Sequence, residues 1–316
     1  TVFANSAISV NSVSFEGAQS YALSGNGPVN LDAGTTAGGP TAGLNVAGNH
    51  SIQAPVNANV DTTVNVTVGG LDISGLLSLN GNTLTKSGAG ALSISNSGSG
   101  GGAVSHTAGS LSGLASVTDY TQAAGATYIA TVGGNAGANV AGGHSEMVAT
   151  GNVTLDGALS VDTVNGFVPG VGASAGQNGD SFTIISGGTQ TGELSFNVVD
   201  NHAGNGIFYD VDHTASVTVS AFQALGGDAD GDKDIDITDF NVLVQDFDPT
   251  GLNTNEWTNA DFDADNDVDI TDFNALVTNF NPLGYGSPGA VPEPTSALLI
   301  GLGMLLLGMW GLRRSR

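Results

Sequence analysis

Cysteine is absent from this 316-residue chain, so neither a disulfide nor a thiolate metal site is available to it. Bases are nearly absent too: five Lys and Arg face 29 Asp and Glu, for a formal charge of −24. Lys86 is the one cationic side chain before residue 228; the others are Lys233, Arg313, Arg314 and Arg316. With no basic patch to neutralise phosphates, no nucleic-acid partner is expected. Abundant Asp and scarce Lys suit a cation-rich extracellular setting. Aromatic residues make up only 6 % of the chain, which disfavours a β-sandwich built on a large aromatic core. Proline occurs nine times, and the Pro/Glu/Lys-rich signature of a disordered chain is missing.

Signs of a catalytic centre are also missing. His50, His106, His144, His202 and His213 are scattered, with no HExxH or similar spacing. The glycine-rich stretches GTTAGGP and GSGGG are followed by no lysine, which excludes a phosphate loop. Asp156, Asp162 and Asp180 read as turn residues rather than as a catalytic pair, and Lys86 is the single base near them in sequence. The expectation is therefore a protein that is not an enzyme.

What is present is glycine, at 49 positions, with Ser, Thr, Asn, Ala and Val arranged in short alternating runs. Such runs cover 62–70, 82–95, 126–134, 151–164, 180–188, 192–200 and 215–222, each β-branched at alternate positions and bounded by Gly, Asn or Asp. Many short strands allow a sandwich, a barrel or a parallel β-helix, and small side chains with polar turns fit the thin coils of a solenoid best. The chain divides into a body at 1–225, an acidic duplication at 226–282, a linker at 283–291 and a tail at 292–316. Thr1 opens it without Met, as after removal of a signal peptide or at the start of a fragment.

The acidic duplication consists of DADGDKDIDITD at 228–239 and DFDADNDVDITD at 261–272. Residues 228 to 272 hold 15 acidic groups against one base. Calcium is a hard cation taking six to eight oxygens, supplied in an EF-hand loop from positions 1, 3, 5, 7, 9 and 12. Those positions are Asp228, Asp230, Asp232, Asp234, Asp236 and Asp239 in the first loop, and Asp261, Asp263, Asp265, Asp267, Asp269 and Asp272 in the second. Position 7, Asp234 or Asp267, would contribute its backbone carbonyl. Position 8, Ile235 or Val268, would let the two loops zip together through a short β contact. Position 6 favours glycine but is Lys233 in one loop and Asn266 in the other, so the first loop is expected to bind more weakly. Each loop leads into an amphipathic stretch with apolar residues at i, i+3, i+4 and i+7: Phe240, Leu243, Val244 and Phe247, then Phe273, Leu276, Val277 and Phe280. A plain solvated acidic tail needs neither feature, and both occur twice.

This loop-plus-helix duplication resembles the type I dockerin module, in which an Asp closes the loop at position 12. The resemblance implies two Ca²⁺ ions and leaves a cohesin-type protein open as a partner. Its partner-choosing positions 10 and 11 are Ile237-Thr238 and Ile270-Thr271. LNGNTLTKSGAGALSIS at 79–95 resembles the autotransporter-associated β-strand repeat, matched at Thr83-Leu84-Thr85-Lys86, Gly88, Gly90 and Leu92. That resemblance implies a right-handed parallel β-helix for the body, with an extracellular polysaccharide open as its ligand.

The tail is VPEPTSALLIGLGMLLLGMWGLRRSR, in which Ala297 to Leu312 carries no charge. The run is slightly short of the ~20 residues that span a bilayer, and Thr295 and Ser296 add a turn. Its basic end faces the cytoplasm under the positive-inside rule, leaving the preceding chain outside. Pro292, Glu293 and Pro294, the apolar stretch, and Arg313, Arg314 and Arg316 together resemble the PEP-CTERM sorting signal. The resemblance implies an exosortase as processing partner. It also implies inner-membrane anchoring through a transmembrane helix until sorting, then release to the cell surface or matrix. The sequence thus describes a mainly β, exported, non-catalytic protein with a small α module. The alternative is a polysaccharide-degrading enzyme or accessory docked to a cohesin scaffold.

Overall fold

The alternation of β-branched and small polar residues is realised as stacked parallel strands in the computed structural model, which describes residues 1–33, 41–98 and 101–285. Along Thr62–Ile73 the side chains of Val64, Val66, Leu71 and Ile73 are buried while those between them point outward. Thr62 pairs with Leu84 and Leu84 with Val104, an advance of 22 and then 20 residues per coil. Sheets of 14, 5 and 4 strands result among the described residues. Every pairing between named strands is parallel except where Val217–Gln223 joins Ser181–Ser186 and Ile207–Asp212. The body is therefore mainly β, with a large parallel sheet stacked as in a β-helix. The antiparallel hairpin extends the 5-stranded sheet beyond Ser181–Ser186 at the C-terminal end of the body, with Ile207–Asp212 as its outer strand.

Turns between coils need close backbone approach. Gly88, just after the TLTK stretch at 83–86, has φ 75°, and a Cβ there would stand 2.2 Å from the Val66 carbonyl oxygen. The early coils are filled by Val, Leu, Ile and Ala, in line with the low aromatic content. Tyr120, Tyr128, Phe182, Tyr209 and Phe222 are nonetheless fully buried toward the later coils and the hairpin. One expected strand is missing: 193–200 forms turns and a single bridge, Ser195 to Ala158. Its alternating Leu194 and Phe196 pack on the core, but the pairing with the strand Ala158–Thr163 stops at that one bridge before the chain turns at 198–200.

Polar groups are buried as a ladder. Lys86, His106 and Gln122 are successive register partners in three coils, and all are buried. The Lys86 ammonium donates to the carbonyls of Ser87, Gly88 and Ala108 at 2.9–3.1 Å, and burial lowers its pKa to about 8. The one base of the body is a structural plug, not a surface charge.

In the module, α1 spans Ile237–Asp246 and α2 Ile270–Asn279. Each starts with a reciprocal capping box, Asp236 with Asp239 and Asp269 with Asp272. Each ends at a phenylalanine, Phe247 or Phe280, and a proline follows two residues later. Leu243 and Leu276 are buried with Ala229, Ile235, Ala260, Phe262 and Val268, and Phe240 meets Phe273 edge-on at 6.4 Å. The expected apolar stripe is narrower than its spacing suggested. Val244, Phe247, Val277 and Phe280 are each more than half exposed, because ten-residue helices end before the i+7 position and α1 meets α2 over one narrow face.

The tail, with its expected membrane helix, lies outside the described residues. Among the described residues no helix is long and apolar enough to cross a membrane.

Candidate metal centre

The two acidic loops close in the same way. Asp228 accepts from the backbone N–H groups of Gly231 (2.6 Å) and Lys233 (3.2 Å), and Asp261 from those of Asp265 (3.2 Å) and Asn266 (2.9 Å). At the other end, Asp239 accepts from Ala229 and Asp236, both at 2.8 Å, and Asp272 from Phe262 and Asp269 at 2.7 and 2.9 Å. The first and last carboxylates of each loop are thereby fixed by backbone N–H groups of their own loop, and in loop one Asp228 and Asp239 are brought together. The sharp turn at position 6 has φ 71° at Lys233 and 70° at Asn266, so lysine adopts the left-handed backbone that asparagine adopts.

Among the described residues, carboxylate oxygens gather in four trios, each with its oxygens within 4.8 Å of one another. Loop one contributes Asp228, Asp230 and Asp239, and also Asp234, Asp236 and Asp239; loop two contributes Asp261, Asp263 and Asp265, and also Asp267, Asp269 and Asp272. Asp232 joins neither loop-one trio; it accepts from the Asp234 N–H instead. The Asp234 and Asp267 side chains stand within these trios, and an oxygen of each is buried with no hydrogen-bond partner, as is one of Asp230.

Burial pushes Asp228 up to about 7 and Asp230 up to about 6, with neighbouring carboxylates adding to both. Asp234, Asp239, Asp263, Asp267 and Asp272 are raised for the same reasons, burial first. A cluster of desolvated like charges with unpartnered oxygens fits a hard cation with oxygen ligands. The donor set is all-carboxylate, so a soft metal is disfavoured.

Position 8 corrects the expected pairing of loop with loop. Ile235 exchanges backbone hydrogen bonds with Asn281, and Val268 with Asp248. Each loop zips to the residue just beyond the opposite helix, an arrangement that keeps the duplication's symmetry and leaves the loops unpaired with each other.

The loops differ in surroundings. In loop two Asp263 and Asp265 are exposed, whereas loop one packs against the body's terminal hairpin. Lys233 forms an ion pair with Asp210 and places its ammonium 4.2 Å from the centre of the Phe222 ring. The Trp257 indole N–H donates to the Asp228 carbonyl at 2.7 Å. Tyr285, assigned to the linker by sequence, donates its hydroxyl to Asp228 at 2.6 Å and accepts from the Leu225 N–H at 2.7 Å. No local pattern marks Tyr285; it stands 57 residues from Asp228 in the chain.

In the body, Asp156 caps the turn at Gly157 and Asp180 accepts from Asn135 and Gly170, while Asp162 lies exposed on the strand Ala158–Thr163. Among the described residues these three form no carboxylate cluster. His106 is buried with its ring held by Gly109 and Tyr120, and His50 is buried between the Phe15 and Tyr21 rings.

Pro292, Glu293, Pro294, Arg313, Arg314 and Arg316 lie outside the described residues, and the tail is characterised by comparison instead. Residues 290–315 match the model of the PEP-CTERM protein-sorting motif. No curated protein matches the chain. The motif implies an exported protein, associated with the membrane before sorting and processed there by an exosortase.

Proposed function

We propose that the chain is a non-catalytic cell-surface or extracellular-matrix protein, with a β-helical body and a dockerin-like module that closes around two calcium ions. The observation that carries this reading is the duplicated loop, in which buried oxygens of Asp230, Asp234 and Asp267 have no protein partner. Loop one would use Asp228, Asp230, Asp232, Asp234, Asp236 and Asp239, and loop two Asp261, Asp263, Asp265, Asp267, Asp269 and Asp272. A bound divalent ion supplies the positive charge that lets such carboxylates stay ionised together while buried. The residues themselves hold the loops shut through backbone N–H groups and start the helices. The non-catalytic part of the reading is supported by Lys86, whose ammonium is spent on three carbonyls.

Calorimetric titration of the full chain with Ca²⁺ should give two ions per chain, with a rise in helical circular dichroism. Neither heat nor a helical change would sink the reading. Mg²⁺ should bind more weakly, since it resists dehydration and seldom uses flexible all-protein cages.

A second reading is docking of the module to a cohesin-type protein. It draws on three exposed apolar pairs related by the duplication: Ile237 with Ile270, Val244 with Val277 and Phe247 with Phe280. A pull-down on immobilised cohesin, with and without chelator, tests it; retention equal to a blank resin would rule it out. Polysaccharide binding by the body is tested by a glycan array using the same protein.

A further inference from the structure

Loop one touches the body, the rest of the module and the segment that leads to the tail; loop two repeats the backbone exchange beyond the opposite helix, at Val268 and Asp248, but among the described residues shows no counterpart of the Lys233 or Tyr285 side-chain contacts. Toward the body, Lys233 reaches Asp210 on the strand Ile207–Asp212 and lies over Phe222 on Val217–Gln223. Gly231 abuts Phe208 so closely that a Cβ would fall 2.6 Å from its ring. Trp257, which bonds the Asp228 carbonyl, rests on Gly206 with the same 2.6 Å limit.

Toward the end of the module, loop one holds the segment 281–285 along its length. Ile235 and Asn281 exchange N–H···O bonds of 3.1 and 3.2 Å, and the Tyr285 N–H donates to the Lys233 carbonyl at 2.9 Å. The Tyr285 hydroxyl then closes onto Asp228, the first carboxylate of the loop. Tyr285 stands five positions ahead of the matched sorting motif. Its ring also abuts Gly176 of the body, where a Cβ would fall 2.4 Å away. Loop two faces the body across a cleft of about 290 Å³, where Asp261, Ala264 and Asn266 stand opposite His202, Gly204 and Asn205.

We propose that loop one is a three-way joint, which when filled by calcium fixes the β body, the module and the root of the sorting tail as one rigid unit. Loop two serves the module alone. The inference rests on the calcium reading above and gives Lys233 a role. Glycine would take the left-handed turn without strain, but only a long cation reaches Asp210 from that position. When the loop is emptied, like charges drive it open, and Lys233, Tyr285 and Asn281 lose the backbone they are built on.

Chymotrypsin reads the joint directly, because it cuts after Tyr285. The full chain is digested in mild detergent with Ca²⁺ or with chelator, the Tyr285–Gly286 cut is followed by mass spectrometry, and the rate is normalised to a free peptide of the same sequence. Calcium should slow this cut at least tenfold. Tyr285→Phe keeps the cleavage site but loses the hydroxyl, and should be cut in calcium at least fivefold faster than the parent. The pair Asp263→Asn with Asp265→Asn should lose one ion by calorimetry and keep Tyr285 protected. Lys233→Gly should still bind two ions while hydrogen exchange rises in 207–212 and 217–223. Two bound ions with equal cutting in calcium and chelator would overturn the joint and leave the calcium reading standing. Absence of any calcium binding would overturn both. Exposure of Tyr285 by the loop-two pair would overturn the assignment to loop one.

Discussion

Lys86 and His106 illustrate what a thin solenoid does with polar side chains. Three carbonyls converge on the Lys86 ammonium, and replacing it by Met fills the space but leaves them without a donor. A buried acceptor left unpaired costs about 1–3 kcal/mol. Removing a buried ammonium offsets part of that cost, so Lys86→Met should lower stability by roughly 2–3 kcal/mol, read as a lower midpoint in urea titration of the β signal; an unchanged midpoint would show the carbonyls hydrated. His106 donates from Nε2 to the Gly109 carbonyl, while the Tyr120 hydroxyl lies within reach of both His106 Nδ1 and Gln122. Burial lowers the His106 pKa to about 4 from the ordinary 6.5. Because the folded value is the lower one, the unfolded chain takes up the proton first as pH falls. The contribution is whole above pH 6.5 and lost as pH drops through 4. The loss amounts to roughly 3 kcal/mol. Stability measured at pH 7 and pH 4 should differ by less in His106→Gln than in the parent. Neither role was legible in the sequence, where Lys86 was simply the one base of the body and His106 one of five scattered histidines.

At the scale of the element, the helices were legible because their determinants are local. An Asp at the N-cap, a second at N3 and a proline beyond the end fix α1 and α2 to ten residues each. Asp239 serves twice, as cap partner and as the closing carboxylate of the loop. Asp239→Ala should cost about 1–2 kcal/mol of module stability even without metal, and should abolish binding at loop one. Helical circular dichroism under chelator checks the first effect, and calorimetric stoichiometry falling from two ions to one checks the second. The width of the apolar stripe was misjudged from periodicity alone. Spacing says which side chains share a helix face, whereas burial also needs a partner of matching length. The strand expected over 192–200 failed for a similar reason: alternation supplies a candidate edge, and pairing needs a neighbour in register.

Across the whole molecule, a parallel β body with its own continuous core meets a module whose small cluster includes only seven buried apolar residues. Such a module has little apolar burial to set against six carboxylates per loop. Removing calcium should destabilise it selectively, leaving it partly folded and less stable than the body. Thermal scans followed at the helical and β wavelengths should coincide in calcium and separate under chelator, with the helical signal melting first. A single shared transition in both conditions would mean that the module draws its stability from the body instead.

The sequence by itself determined the strand-forming character of the body, the spacing of the carboxylates in both loops, the start and stop of both helices, and the sorting motif at the end. All of these depend on residues within about two dozen positions of one another along the chain, where backbone geometry and periodicity act directly. Tertiary structure decided which residues meet across 20 to 60 positions: Lys86 beneath its turn, Ile235 beside Asn281, Lys233 on Asp210 and Tyr285 on Asp228. Those meetings depend on how many residues each coil consumes and on which face the terminal hairpin offers, and no local pattern records either.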